Sequence, residues 1–242
     1  MNRTHTINLL TPKSVAKILG TITILLICAN LFFNVIKFIT KDKYFYGLIP
    51  LFQLSAENNI PSFFSGCLFL ISSIFLMLIW KVKRHYDKPR KIWGMLAFLF
   101  LFLAYDELFS VHELLIHPIR DMLHTTGLLY EAWIVVYGVA VLLLVAAFYP
   151  EWRRLQKKFR QWFSASAITF MSGAVGFEMI GGAYFESVDR KGDVIYGALY
   201  TIEESLEMAG LLIFIYSLMM LLESELDGAV ISISETGHTV DT

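Results

Sequence analysis

The charged residues of this 242-residue chain fall in clusters, and between the clusters run apolar stretches long enough to cross a bilayer. A membrane-spanning helix needs about 20 such residues. In hydrocarbon every backbone N–H and C=O must find its partner inside the segment, which leaves helices or closed barrels. Unbroken apolar runs of this length fit helices. They predict six spans, at approximately 17–39, 61–81, 92–117, 128–149, 162–186 and 195–222. Hydrophobic residues make up 56 % of the chain and mean hydropathy is +0.59, more apolar than a soluble domain. The expected fold class is all-α, a polytopic membrane helix bundle.

Basic residues set the expected orientation. The turn after the second span holds Lys81, Lys83, Arg84, Lys88, Arg90 and Lys91, and the turn after the fourth holds Arg153, Arg154, Lys157, Lys158 and Arg160. Both turns lie on the side of the basic N-terminal segment, so both termini are expected in the cytoplasm. The expected layout is a cytoplasmic arm over 1–16, a transmembrane domain over 17–222, and a disordered acidic tail over 223–242. The expected location is a cell membrane, the bacterial inner membrane. The first apolar run is too long for a signal-peptide core and is read as a retained span. Cys28 and Cys67 both sit in apolar spans, which argues against a disulfide framework. No basic face suggests a nucleic-acid partner.

Several polar residues read as packing devices. Asn30, Asn34 and Lys37 share one face of the first span, suited to interhelix hydrogen bonds and a snorkelling lysine. Asn59 is a plausible cap for the second span, with Pro61 in its first turn and Glu57 at its mouth. Gly173, Gly176, Gly181 and Gly182 allow close helix approach. Tyr196 and Tyr200 fit an interfacial belt, and Glu131 and Trp133 fall at the start of the fourth span.

The acids inside the spans are harder to place. Read as one helix, the third span puts Asp106, Ser110, Glu113 and His117 on a single polar stripe. Glu107 and His112 flank it. The fifth span carries Glu178, and the sixth carries Glu203, Glu204 and Glu207. A rise of about 1.5 Å per residue puts these acids from three spans in one slab of the outer leaflet, while the inner leaflet has almost none. Seven unpaired ions, Asp106, Glu107, Glu113, Glu178, Glu203, Glu204 and Glu207, cost on the order of 20 kcal/mol at about 2.5–3.5 kcal/mol each. That exceeds an ordinary domain stability of about 5–15 kcal/mol.

Lysine and arginine are absent from Trp93 to Ile119 and from Gln161 to Asp189, and after Lys191 there are none. The carboxyls are therefore protonated, wet, or bound to a cation. Aspartate, glutamate and histidine together suit Zn, Fe or Mn. Expected metal ligands are Asp106, Glu107, His112, Glu113, His117, Glu204 and Glu207. His117 is preferred over His112, because a helix aims His112 and Glu113 about 100° apart. Glu178 and Glu203 are the expected catalytic residues, as general base or in support of the ligands. The Glu-x-x-His pattern of bundle di-iron proteins is absent from the spans, as is the His-x-x-x-His of alkaline-ceramidase-type hydrolases. No nucleotide loop, retinal lysine or haem motif is present.

Two functions fit these residues. One is a metal-dependent membrane enzyme acting on a lipid or lipid-soluble substrate. The other is a cation- or proton-coupled transporter, which a faint echo between Asp106-Glu107 and Glu203-Glu204 favours. A non-catalytic membrane subunit is the third expectation. The pattern Glu57-Asn-Asn-Ile-Pro, Asp106-Glu107, His112-Glu113 and Glu203-Glu204 resembles a group of uncharacterised bacterial multi-span membrane proteins. The resemblance carries no established activity with it.

Overall fold

The hydroxyl of Thr11 accepts the N–H of Ser14 at 3.2 Å, and Pro12 follows in the first turn, so the first span starts at a capped end. This is α1 (Pro12–Thr40) of a computed structural model that describes residues 11–86, 91–189 and 193–236. It begins inside the segment expected as an arm; residues 1–10 of that arm lie outside the described residues. The first outer loop then folds back on the bundle. Gly47, at φ +81°, turns the chain into the short α2 (Leu48–Phe52), and Ile49 and Leu54 are buried. Asn59 fastens this loop to α3 (Ile60–Tyr86). Its side-chain oxygen accepts the N–H of Ser62 at 3.1 Å, and its amide donates to the carbonyls of Gln53 and Ala56 at 2.7 and 2.6 Å.

The third span is shorter than its apolar run predicts. α4 (Lys91–Phe109) ends at Ser110, which takes a left-handed backbone at φ +49°. Asp106 causes the stop: its carboxylate accepts the backbone N–H of His112 at 2.7 Å, an alternative to continued helix. A 3₁₀ turn over His112–Leu115 follows, then α5 (Ile116–Leu123). The helical stripe through Ser110, Glu113 and His117 is therefore corrected; those residues follow a broken path. The fourth span is corrected as well. α6 (Trp133–Arg154) starts five residues later than 128, after a 3₁₀ turn at Gly127–Leu129.

The fifth span joins α7 (Lys157–Met171) to α8 (Glu178–Ser187) through a π-helical turn over Ser172–Phe177. The last helix, α9 (Val194–Thr236), runs past 222, where the acidic tail is expected to begin. Residues 237–242 of that tail lie outside the described residues. Among the described residues six helices are long and apolar enough to cross a membrane, and both cysteines are free.

α9 is the central post. It packs against α7, α3 and α1, and α3 packs against α4. Two glycines set the closeness. A β-carbon on Gly210 would stand 2.7 Å from the backbone nitrogen of Phe170, and one on Gly173 would stand 2.6 Å from the carbonyl oxygen of Glu203. Asn30 ties α1 to α9 as its face predicts, donating to Thr201 at 2.9 Å and accepting from the Leu54 N–H at 3.0 Å. Apolar packing fills the half of the bundle near the basic turns, around Leu76, Ile79, Trp93 and Leu218. α6 stands apart: 6 % of its most apolar stretch is buried, against 50 % for α3. A gap is left beside it.

Candidate functional site

The acids and histidines singled out as candidate site residues all line one cavity of about 650 Å³. Asp106 and Glu107 reach it from the end of α4, and His112, Glu113 and His117 from the segment after Ser110. Glu178 comes from α8, and Glu203, Glu204 and Glu207 from α9. Two acids from outside the spans join them: Glu57 from the folded-back loop and Glu131 just before α6. Aromatic rings face the same space, namely Trp133, Tyr137, Tyr196 and Tyr200.

Asp106 is 5 % exposed and has both oxygens engaged. One accepts the His112 N–H and stands 3.3 Å from the His112 Nδ1; the other accepts the Tyr137 hydroxyl at 3.0 Å. Trp133 packs edge-on against the His112 ring and donates from Nε1 to Glu178 at 3.0 Å. With Nδ1 turned to a carboxylate, the imidazole is fixed in orientation, the arrangement that commonly supports a metal-bound histidine. Burial pulls the His112 pKa down, but the Asp106 hydrogen bond and the charges of Asp106, Glu57 and Glu178 outweigh it and raise it.

Ligand atoms of Glu57, His112 and Glu113 all lie within 4.8 Å of one another. No other group of three or more histidine, cysteine, aspartate or glutamate residues converges in this way among the described residues. Ligands about 2.0–2.2 Å from an ion need to draw only slightly closer. The helix break explains the pairing of His112 with Glu113, which a continuous α-helix would aim apart. One carboxyl oxygen of Glu57 is buried without a hydrogen-bond partner among the described residues. Burial raises the Glu57 pKa, with His112 opposing and Glu113 adding to the shift. His117, the histidine preferred from the sequence, lines the same cavity from an exposed position.

Deeper in, Glu203 is 5 % exposed and lies against Glu178. One of its carboxyl oxygens has no hydrogen-bond partner among the described residues. Glu107, Glu204 and Glu207 share this inner part of the chamber. Near the mouth, Arg120 stands 3.6 Å from Glu131 and donates to the Tyr130 carbonyl at 2.9 Å. Burial pushes the Glu131 carboxyl up to about 7, with the Glu178 charge adding to the rise and Arg120 opposing it. Gly182 lets α8 approach this corner, where a β-carbon would stand 3.0 Å from the Glu131 side chain.

The family described as Domain of unknown function (DUF8692) matches residues 19–222. The chain belongs to that family. The matched region takes in most or all of each of the six apolar helices and every described lining residue of the chamber. No curated protein and no solved structure matches the chain.

Sequence reasoning under-reads Glu57, Glu131 and Tyr137. Glu57 is visible at the mouth of the second span, but only as an acid suited to a helix N-terminus. Trp133 and Tyr137 stand one helical turn apart on one face, and that spacing is the available signal.

Proposed function

We propose that this chain is a metal-dependent membrane enzyme acting on a lipid or lipid-soluble substrate, with Glu57, His112 and Glu113 holding a divalent cation. The carrying observation is what lies behind the acidic chamber. Its wall continues through Phe69, Leu103, Val141, Phe170 and Met171 into a second cavity of about 460 Å³, whose lining is almost wholly apolar. A transporter needs a polar path to the far side; an enzyme for lipids needs a polar head chamber with an apolar annex. One histidine with two carboxylates suits Zn, Fe or Mn. An ion held there supplies a Lewis acid and lowers the pKa of bound water toward neutrality. Asp106 orients His112. Glu178 and Glu203, side by side, hold and pass a proton next to the ligand group. With the basic turns in the cytoplasm, the chamber opens to the outer leaflet and substrate reaches it from the membrane.

The test is elemental analysis of detergent-purified protein with no metal added. Wild type is expected to carry Zn, Fe or Mn near stoichiometry. Glu57→Gln and His112→Asn lose it while keeping the wild-type elution volume, and Glu178→Gln keeps it. Metal-free wild type overturns the proposal and turns attention to proton and cation flux in liposomes.

A further inference from the structure

The two cavities together have the shape of one kind of molecule. The apolar one lies between α4, α6, α7 and α9, beside the gap that α6 leaves. A methylene occupies about the room of a water molecule, about 30 Å³, so 460 Å³ matches a single chain of about fifteen carbons. Lipid tails are already in apolar surroundings, so the cavity gains over membrane or detergent only by packing closely along the length of the tail. The cavity favours a single chain of about that length, and the head group must supply the rest of the recognition.

The head chamber fixes the sign of that group. Beyond the Glu57, His112 and Glu113 set, its inner walls carry Glu107, Glu178, Glu203, Glu204 and Glu207. Arg120 pairs with Glu131 at the mouth, and no lysine or arginine lines the chamber among the described residues. The partnerless Glu203 oxygen is an acceptor already removed from water, on a residue only 5 % exposed that lines the chamber. A phosphate head would find no lysine or arginine to pair with among the described lining residues. An ammonium would meet charge-assisted acceptors, and the Tyr196 and Tyr200 rings supply π faces for a cation. We infer that the chamber takes an amphiphile with one long alkyl chain and a positively charged amino head, the head against Glu203 and its neighbours and the tail in the apolar cavity. The inference rests on the reading of this chamber as a lipid site and not on a cation at the ligand group.

The test uses the full chain in a neutral maltoside detergent, with binding of hexadecylamine, octylamine and hexadecanol followed by titration calorimetry. Hexadecylamine is expected to bind saturably and at least tenfold more tightly than hexadecanol or octylamine. Glu203→Gln weakens the amine about tenfold and leaves the alcohol unchanged. Ala167→Trp, which fills the tail cavity from α7, weakens hexadecylamine and spares octylamine. Equal binding of amine and alcohol, or Glu203→Gln with no effect on the amine, overturns the choice of head group. Binding indifferent to chain length and to Ala167→Trp overturns the choice of tail. Elemental analysis of the same samples separates the readings: amine binding without metal sinks only the metal proposal, and metal without amine binding sinks only this one.

Discussion

The carboxylate of Asp106 takes the backbone N–H of His112 at 2.7 Å and faces its ring nitrogen at 3.3 Å. One side chain thus ends a transmembrane helix and aims the histidine that follows. Asp106→Asn weakens both effects. Because the orienting partner of a metal-bound histidine commonly contributes 10–100-fold in affinity, the variant is expected to hold metal about 10-fold or more weakly. Equilibrium dialysis against a metal buffer measures it, and unchanged affinity contradicts the ligand role of His112.

Gly173 and Gly210 set how closely α9 meets the fifth span. Gly173→Ala and Gly210→Ala each drive a methyl against backbone atoms 2.6–2.7 Å away, and overpacking of this kind costs about 1–3 kcal/mol. Gly20→Ala, with nothing within 4 Å, is expected to be neutral or slightly stabilising. Thermal unfolding in detergent ranks the three, and equal midpoints for all of them would refute the close packing.

Asn30 joins α1, the folded-back loop and α9 through buried hydrogen bonds. Asn30→Leu leaves the Leu54 N–H without its acceptor, at a cost of about 1–3 kcal/mol. Limited proteolysis within residues 41–58 should then be faster than in wild type. A loop equally resistant in both shows that other contacts hold it.

Glu131 binds its proton more tightly in the fold than in the unfolded chain. Its folded pKa of about 7 lies above the ordinary 4.5, so the native state carries more protons between those values and stability falls as pH rises through that window. Glu131→Gln has no such charge to bury. Its melting temperature relative to wild type is expected to climb from pH 4.5 to 7 and then level off. A constant difference across that range would show that Glu131 titrates normally.

Much of the bundle is legible because each apolar run is bounded by charge, and six spans follow from length alone. The end of the third span is not, since helical periodicity takes no account of the Asp106 side chain capturing the backbone ahead of it. The same break brings His112 and Glu113 to one group. Glu57 escapes because no periodic pattern in residues 40–59 announces that the loop folds back; Asn59 holds it there through contacts to the carbonyls of Pro50, Gln53 and Ala56. The convergence of the acids is legible from depth. The apolar annex is not, because it depends on how loosely α6 is held.

The π turn over Ser172–Phe177 acts as a rotary setting for the head chamber. It holds one residue more than a regular turn requires, and each residue of an α-helix advances the face by about 100°. Removing a single residue there would leave the membrane span nearly as long and as oily as before. Glu178 would nevertheless swing away from Glu203 and Trp133, and Gly182 away from Glu131. The alignment of the acidic wall is thus set by the count of six residues, apart from the chemistry of any one of them.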